Sequence, residues 1–256
     1  MKLLKKMRTF GLSATAIRAC GVLFLAAGMF GHMMMVNVLG VSGASNVELF
    51  EALQADSGLM ASATLAVVGQ ALEACAVPIF AFLLVEGSDH TSNFAKYFLR
   101  VLGLAAVSQL PYNLLITGSL LKFYGLNPVF AAVMSMVMLF FFRQFREKKA
   151  SHIAIKCCAF LFAFLWSNML GVSHGAACVI VTAVLWGFRG KPNLRTALGV
   201  LVMLGCVVFS TFYMAAPISF LIIYFYSGEQ GSHNRIANYL AYPVLLLICG
   251  LYGMVV

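Results

Sequence analysis

Three ionisable residues that interrupt apolar stretches of the chain are the first candidates for chemistry: His32, Glu73 and His174. Histidine can take up a proton near neutral pH, as a general base does. A lone buried carboxylate is protonated unless it has a partner, and Glu73 could pair with His32 on another segment or with Gln70 on its own. We expect His32 to be a base and Glu73 its partner, although both also suit a structural hydrogen bond between helices.

His174 stands in the sequence Ser173-His174-Gly175, at the start of an apolar stretch. The amino terminus of a helix there would favour a bound anion, and we expect His174 to act on the acceptor side of a shared site. The alternative is an ordinary helix start with Ser173 as the N-cap.

The composition of the chain says which elements must position these residues. Apolar residues make up 62% of the 256 residues and charged residues 10%, whereas a soluble domain has about 25% charged residues. A chain with so few charges cannot solvate a globular surface, so the lipid bilayer must be its solvent. We predict an all-α polytopic transmembrane helical bundle that forms a single integral membrane domain over residues 1–256.

Several apolar stretches reach the roughly 20 residues that a membrane span needs. The first is too long for the apolar core of a cleaved signal peptide, so we expect a retained span. Pro217 lies within one long apolar stretch and marks either a turn or a kink, which leaves the count at eight or nine. The predicted spans lie near 14–39, 58–85, 100–117, 126–142, 154–170, 174–188, 197–213, 215–227 and 236–255.

The positions of Lys and Arg predict the topology, because cytoplasmic loops are enriched in them. With nine spans, 16 of the 17 basic residues fall on the side of the amino terminus, and with eight spans 15 do. The amino terminus is therefore predicted to be cytoplasmic, and on nine spans the carboxyl terminus lies outside. This distribution also explains the net charge of +9 without a nucleic-acid partner, and none is expected.

The seven cysteines lie within or at the edges of apolar stretches. No two of them have the spacing of metal ligands, and buried free cysteine behaves as a small apolar side chain. We expect no metal.

Lys96 and Arg100 follow the second predicted span, on the predicted cytoplasmic side. A long cationic side chain there can reach lipid phosphates and anchor the topology. Alternatively, Arg100 with Lys96 binds a negatively charged cosubstrate.

The motifs of the chain resemble those of the TraX family, most closely between Pro78 and Pro111. The resemblance rests on Pro78–Gly87, Thr91, Asn93, Lys96-Tyr97, Arg100, Ser108–Tyr112, Asn127, Tyr226–Gly231, Tyr239 and Tyr242-Pro243. It implies a multi-span protein of the bacterial inner membrane that takes part in pilus or fimbrial biogenesis. It further implies acetyl transfer from cytoplasmic acetyl-CoA to the amino terminus of a pilin or fimbrial subunit.

Four polar positions of that family pattern differ in this chain. An Asp-His pair is replaced by Gly31-His32, and an arginine four residues before Pro78 is replaced by Ala74, beside Glu73. An Asp-Tyr-Gly motif becomes Ser173-His174-Gly175, and a final histidine becomes Leu245. Two other functions therefore stay open: a non-catalytic scaffold or chaperone for fimbrial assembly, and a small-molecule transporter with broken helices.

Overall fold

A computed structural model describes residues 11–39, 46–231 and 235–255, and these residues form helices and no strand. The predicted all-α class is thus confirmed. Lys2, Lys5, Lys6 and Arg8, which the charge count used, lie outside the described residues. Within these three described stretches, the α-helices are α1 (Ala14–Leu39), α2 (Asn46–Ala55), α3 (Ser57–His90), α4 (Phe94–Thr117), α5 (Val129–Gln144), α6 (Ala150–Met169), α7 (Gly175–Gly187), α8 (Pro192–Gly205), α9 (Ile218–Tyr224) and α10 (Arg235–Val255).

Four of these helices are long and apolar enough to cross a membrane, namely α1, α3, α4 and α6. α5, α7, α8 and α10 each contain a shorter apolar segment, and together the set fits a helical membrane bundle. The predicted bounds of the first span agree with α1, whereas α3 and α4 extend beyond the predicted 58–85 and 100–117. The number of spans and the cytoplasmic amino terminus stay predictions.

α3 forms the centre of the bundle and is buried along most of its second half. It begins at Asp56, whose carboxylate accepts hydrogen bonds from the backbone N–H groups of Gly58 and Leu59 and so caps the helix. The helix continues through Pro78. The carbonyl of Cys75, one turn before this proline, accepts a hydrogen bond from the Ser219 hydroxyl on α9, which fastens α9 to the middle of α3.

The segment around Pro217 turns; it does not kink. The predicted spans 197–213 and 215–227 are wrong in their bounds, because α8 ends at Gly205 and two 3-10 turns, Cys206–Val208 and Thr211–Met214, follow. Pro217, which has no N–H to donate, precedes the first residue of α9. After α9 the chain returns to the start of α1, where Leu12 N–H donates to the carbonyl of Phe225.

A buried amide network joins α4 to the start of α5. The Gln109 side chain donates to the Gly125 carbonyl and accepts from the backbone and side-chain N–H groups of Asn127. Asn127 is fully buried and also donates to the carbonyl of Ala105. The Gln109 and Asn127 positions of the TraX-like pattern therefore hold the 118–128 connection in place.

Two ion pairs join the carboxyl end of α3 to the start of α8 and the turn before it. Arg195 lies 3.6 Å from the Glu86 carboxylate and over the ring of Phe82, and Arg189 lies 3.2 Å from Asp89. The carboxylates of Glu86 and Asp89 thereby balance the positive charges of two arginines at this end of the bundle.

Candidate active site

Three small residues bring α1 and α3 close enough for their polar side chains to meet. A Cβ atom at Gly28 would lie 2.4 Å from the Cβ of Glu73, and one at Gly31 would lie 2.8 Å from the backbone oxygen of Ala66. A Cβ at Gly69 would lie 2.6 Å from the backbone oxygen of Ala27. Small residues allow such backbone approaches between membrane helices, and an aspartate in place of Gly31 would have no room.

His32 on α1 contacts Glu73 on α3 directly. Its Nε2 lies 2.9 Å from Oε2 of the carboxylate. Because a carboxylate can only accept, Nε2 carries the proton and donates it. The imidazole Nδ1 is then the basic nitrogen, and it has no hydrogen-bond partner among the residues that the structure describes.

His174 approaches the other oxygen of the same carboxylate. Its Nε2 lies 3.7 Å from Oε1 of Glu73, and its Nδ1 lies 2.7 Å from the hydroxyl of Tyr213. With Nε2 turned toward the carboxylate, Nδ1 of the neutral ring accepts from the Tyr213 hydroxyl. The chain Tyr213–His174–Glu73–His32 thus joins the second 3-10 turn, α7, α3 and α1.

Backbone geometry fixes the position of His174. It immediately precedes α7, with φ of 56° and no side-chain capping bond, a conformation that is uncommon for residues other than glycine. Ser173 is not the N-cap that the alternative interpretation expected, since its hydroxyl bonds the Tyr112 hydroxyl on α4. Its backbone N–H donates to the carbonyl of Leu126.

A polar cavity of about 630 Å³ lies on the side of this cluster toward the 118–128 connection. His32, Glu73 and His174 line it, together with Gln70 and Tyr124. The irregular backbone at 209–213 forms part of its wall, in keeping with the rule that non-helical backbone at membrane depth borders a cavity. We call this space the outer cavity, because the predicted topology puts it toward the outside.

A second, mainly apolar cleft of about 240 Å³ extends from the cluster toward the other end of the bundle. Glu73 and His174 line one part of it, and Arg18 and Tyr97 line the remote part. Arg18 lies about three helical turns before Gly28, the residue of α1 that contacts Glu73, and Tyr97 lies at the start of α4. We call it the inner cleft. Glu73 and His174 belong to both spaces, so the two spaces meet at the histidine–glutamate cluster.

The structure therefore brings together His32, Glu73 and His174, the three residues predicted to carry chemistry. It does not bring Lys96 or Arg100 to them: both are exposed on α4, and neither lines the cleft or the cavity. Among the described residues, no group of three or more His, Cys, Asp or Glu side chains has the arrangement of a metal site.

Sequence reasoning missed Arg18, Tyr112 and Tyr213 as residues of these spaces. Arg18 was counted as a topology charge, although its position inside the first apolar stretch was a usable signal. The tyrosines gave no such signal, because a phenol within an apolar stretch is ordinary in a membrane protein.

Comparison with known proteins identifies a family. The family model described as TraX protein matches residues 58–253, which includes α3 with Glu73 and α7 with His174 but begins after α1 with His32. No curated protein and no solved structure matches the chain.

Proposed function

The chain belongs to the TraX family, and on that premise we propose that it is an acetyltransferase of pilus or fimbrial biogenesis in the bacterial inner membrane. Membership in the family supports a pilus-related membrane protein. The finer proposal is that residues 1–256 act as one membrane domain that moves an acetyl group from acetyl-CoA to an amino group of a pilin or fimbrial subunit.

The observation that carries the proposal is the position of the cluster where the inner cleft meets the outer cavity. Acyl transfer between substrates from opposite sides of a membrane needs a base at a point that both can reach. His32 borders the outer cavity, and Glu73 and His174 border both spaces. A thioester in the inner cleft and an amine in the outer cavity would thus meet beside the basic Nδ1 of His32.

The lining of the inner cleft suits acetyl-CoA as the donor substrate. The part remote from the cluster has a guanidinium and a phenol, from Arg18 and Tyr97, and the middle is formed by apolar residues such as Val22 and Phe80. A molecule with an anionic end and a slender uncharged arm matches this arrangement, in which a cationic part of the cleft is followed by an apolar part. The outer cavity is more polar and larger, as an amine with its peptide requires.

The reaction then balances without a further reactant. The amine nitrogen attacks the thioester carbonyl carbon, a C–N bond forms, and the C–S bond breaks. Nδ1 of His32 takes the proton from the amine and returns it to the leaving sulfur, so that an amide and a thiol result. Glu73 holds the ring of His32 by Nε2 and stabilises the imidazolium, while Tyr213 holds His174 against the carboxylate.

Intact-mass measurement of pilin tests this function. Cells with the wild-type protein should yield pilin heavier by one acetyl group than cells without it. His32→Ala should abolish the shift, because a positioned base contributes about 10²- to 10⁴-fold.

His90→Ala is the matched control, since His90 is exposed at the far end of α3 and its loss should leave the shift intact. If pilin mass does not depend on the protein but piliation does, the chain is an assembly scaffold and the proposal is wrong. If the His32→Ala variant acetylates pilin to the wild-type level, His32 is not the base of the reaction.

A further inference from the structure

The part of the inner cleft remote from Glu73 contains an arginine. Arg18, in the second turn of α1, lines it together with the phenols Tyr97 on α4 and Tyr239 on α10. Arg18 forms no ion pair with any residue in the described part of the chain. By contrast, Arg189 and Arg195 are paired with Asp89 and Glu86.

An uncompensated arginine within a membrane span is costly unless an anion accompanies it. Arg18 is half-buried and lies between three helices, so an anion that reaches it from the cleft would be bound away from bulk water. A guanidinium binds phosphate with two parallel hydrogen bonds, and Tyr97 and Tyr239 line the same part of the cleft.

The spacing along α1 defines the length of the ligand. On α1, Gly28 lies against Glu73 and follows Arg18 by 10 residues of one helix, which corresponds to about 15 Å. The lining between them is apolar and includes Val22, Leu25 and Phe80. The matching ligand is long and thin, with a phosphate at one end, an uncharged arm, and its reactive group at the other end.

We propose that Arg18 binds the phosphate of a phosphopantetheine thioester whose acyl group lies beside Glu73 and His174. This inference rests on the proposed acetyl transfer and names the residue that holds the donor. It replaces the exposed Lys96 and Arg100 with a residue inside the cleft. Coenzyme A and the prosthetic group of an acyl carrier protein share this chemistry, and a phospholipid is the competing source of phosphate.

Equilibrium binding to the full-length protein in lipid nanodiscs tests the assignment without relying on turnover. Wild-type protein should bind phosphopantetheine and coenzyme A more tightly than pantetheine, which lacks the phosphate. In Arg18→Gln, affinity for the two phosphorylated ligands should fall on the order of 10- to 100-fold, the loss expected for a charge-assisted contact. Affinity for pantetheine should not change, which shows that the variant is folded.

Two further variants sharpen the test. Arg18→Lys keeps the positive charge but not the two parallel N–H donors of a guanidinium, and should therefore recover part of the affinity. Lys148→Gln removes one exposed cation from the connection between α5 and α6 and should bind all three ligands as the wild type does.

Several results would overturn the assignment. One is that Arg18→Gln lowers the affinity for pantetheine as much as the affinity for phosphopantetheine. Another is that Arg100→Gln lowers the affinity for phosphopantetheine whereas Arg18→Gln does not. If phosphopantetheine binding falls as anionic phospholipid replaces neutral lipid in the nanodisc, and Arg18→Gln removes this competition, Arg18 binds a lipid phosphate instead.

The assignment and the proposed function fail separately. A protein that binds phosphopantetheine through Arg18 but leaves pilin mass unchanged refutes the acetyl transfer alone. A protein that acetylates pilin with an unaltered donor KM in Arg18→Gln refutes the phosphate contact alone.

Discussion

At the scale of single residues, the site depends on one carboxylate that two histidines share. Glu73 places one oxygen 2.9 Å from His32 and the other 3.7 Å from His174. Only the contact to His32 has the length of a hydrogen bond. Glu73 therefore orients His32 closely, whereas Tyr213 supplies the close contact of His174. The carboxylate that contacts His32 thus comes from another helix, while its neighbour in sequence is Gly31.

Glu73→Gln is the sharpest single change at this scale. The amide keeps the size of the side chain but removes the charge that stabilises an imidazolium, so we expect acetyl transfer to fall on the order of 100-fold or more. Timed intact-mass measurement of pilin in membrane vesicles gives the rate.

The control for this prediction is Asp89→Asn, which makes the same chemical change at the far end of the same helix. Asp89 pairs with Arg189 and lines neither the cleft nor the cavity, so the rate should stay near that of the wild type. A wild-type rate in Glu73→Gln would show that the carboxylate has no part in the reaction.

At the scale of elements, the close contact of α1 and α3 decides whether His32 and Glu73 meet. Gly31 and Gly69 face each other there, and the atoms nearest to an added Cβ at Gly69 belong to the backbones of Ala27 and Gly31. Backbone atoms of a packed helix cannot rotate away as a side chain can. A larger residue must therefore push the two helices apart.

Gly69→Ala should lower the free energy of unfolding by about 1–3 kcal/mol, the usual cost of overpacking, and should also slow acetyl transfer. Denaturant titration in mixed micelles measures the stability. The matched control is Gly103→Ala on α4, where an added Cβ meets nothing within 4 Å.

In Gly103→Ala, the higher helix propensity of alanine should raise the free energy of unfolding by up to about 1 kcal/mol. Equal stability changes in the two variants would mean that the close approach of α1 and α3 does not limit the fold.

At the scale of the whole molecule, two spaces approach one cluster from different directions. Leu12 lies beside Phe225 at the start of α1, and Gly250 near the end of α10 packs against Leu114 and Leu115 near the end of α4. α10 therefore runs from the end of the bundle where α1 begins toward the end where α4 finishes. The inner cleft reaches toward the former end and the outer cavity lies toward the latter.

This course of α10 leads to a topology prediction. A reporter enzyme that is active only outside the cytoplasm should be active when fused after Val256 and inactive when inserted at Lys148, between α5 and α6. The nine-span arrangement requires this result, because the basic residues on the amino-terminal side set the orientation. A cytoplasmic carboxyl terminus would favour eight spans, and an active insertion at Lys148 would reverse the orientation.

The amino-acid sequence was sufficient to predict the helical class, the membrane environment and the ionisable residues within apolar stretches. Composition is sufficient for these conclusions. A helix that spans a bilayer consists mostly of apolar side chains, so an ionisable residue within it is rare and easily identified in the sequence. His32, Glu73 and His174 were found in this way. The bounds of α1 were also predictable, since its apolar stretch is uninterrupted.

The packing of the helices establishes which of these residues meet and which cavities they border. The pairing of His32 with Glu73 depends on glycines that let two helices touch, and a hydropathy pattern does not encode the rotation of one helix against another. The 3-10 turns that bring Tyr213 to His174 lie in a stretch as apolar as a helix, so their sequence predicted a span. Arg18 looked like a topology charge until three helices placed it inside a cleft, because the partners of a side chain are a property of packing.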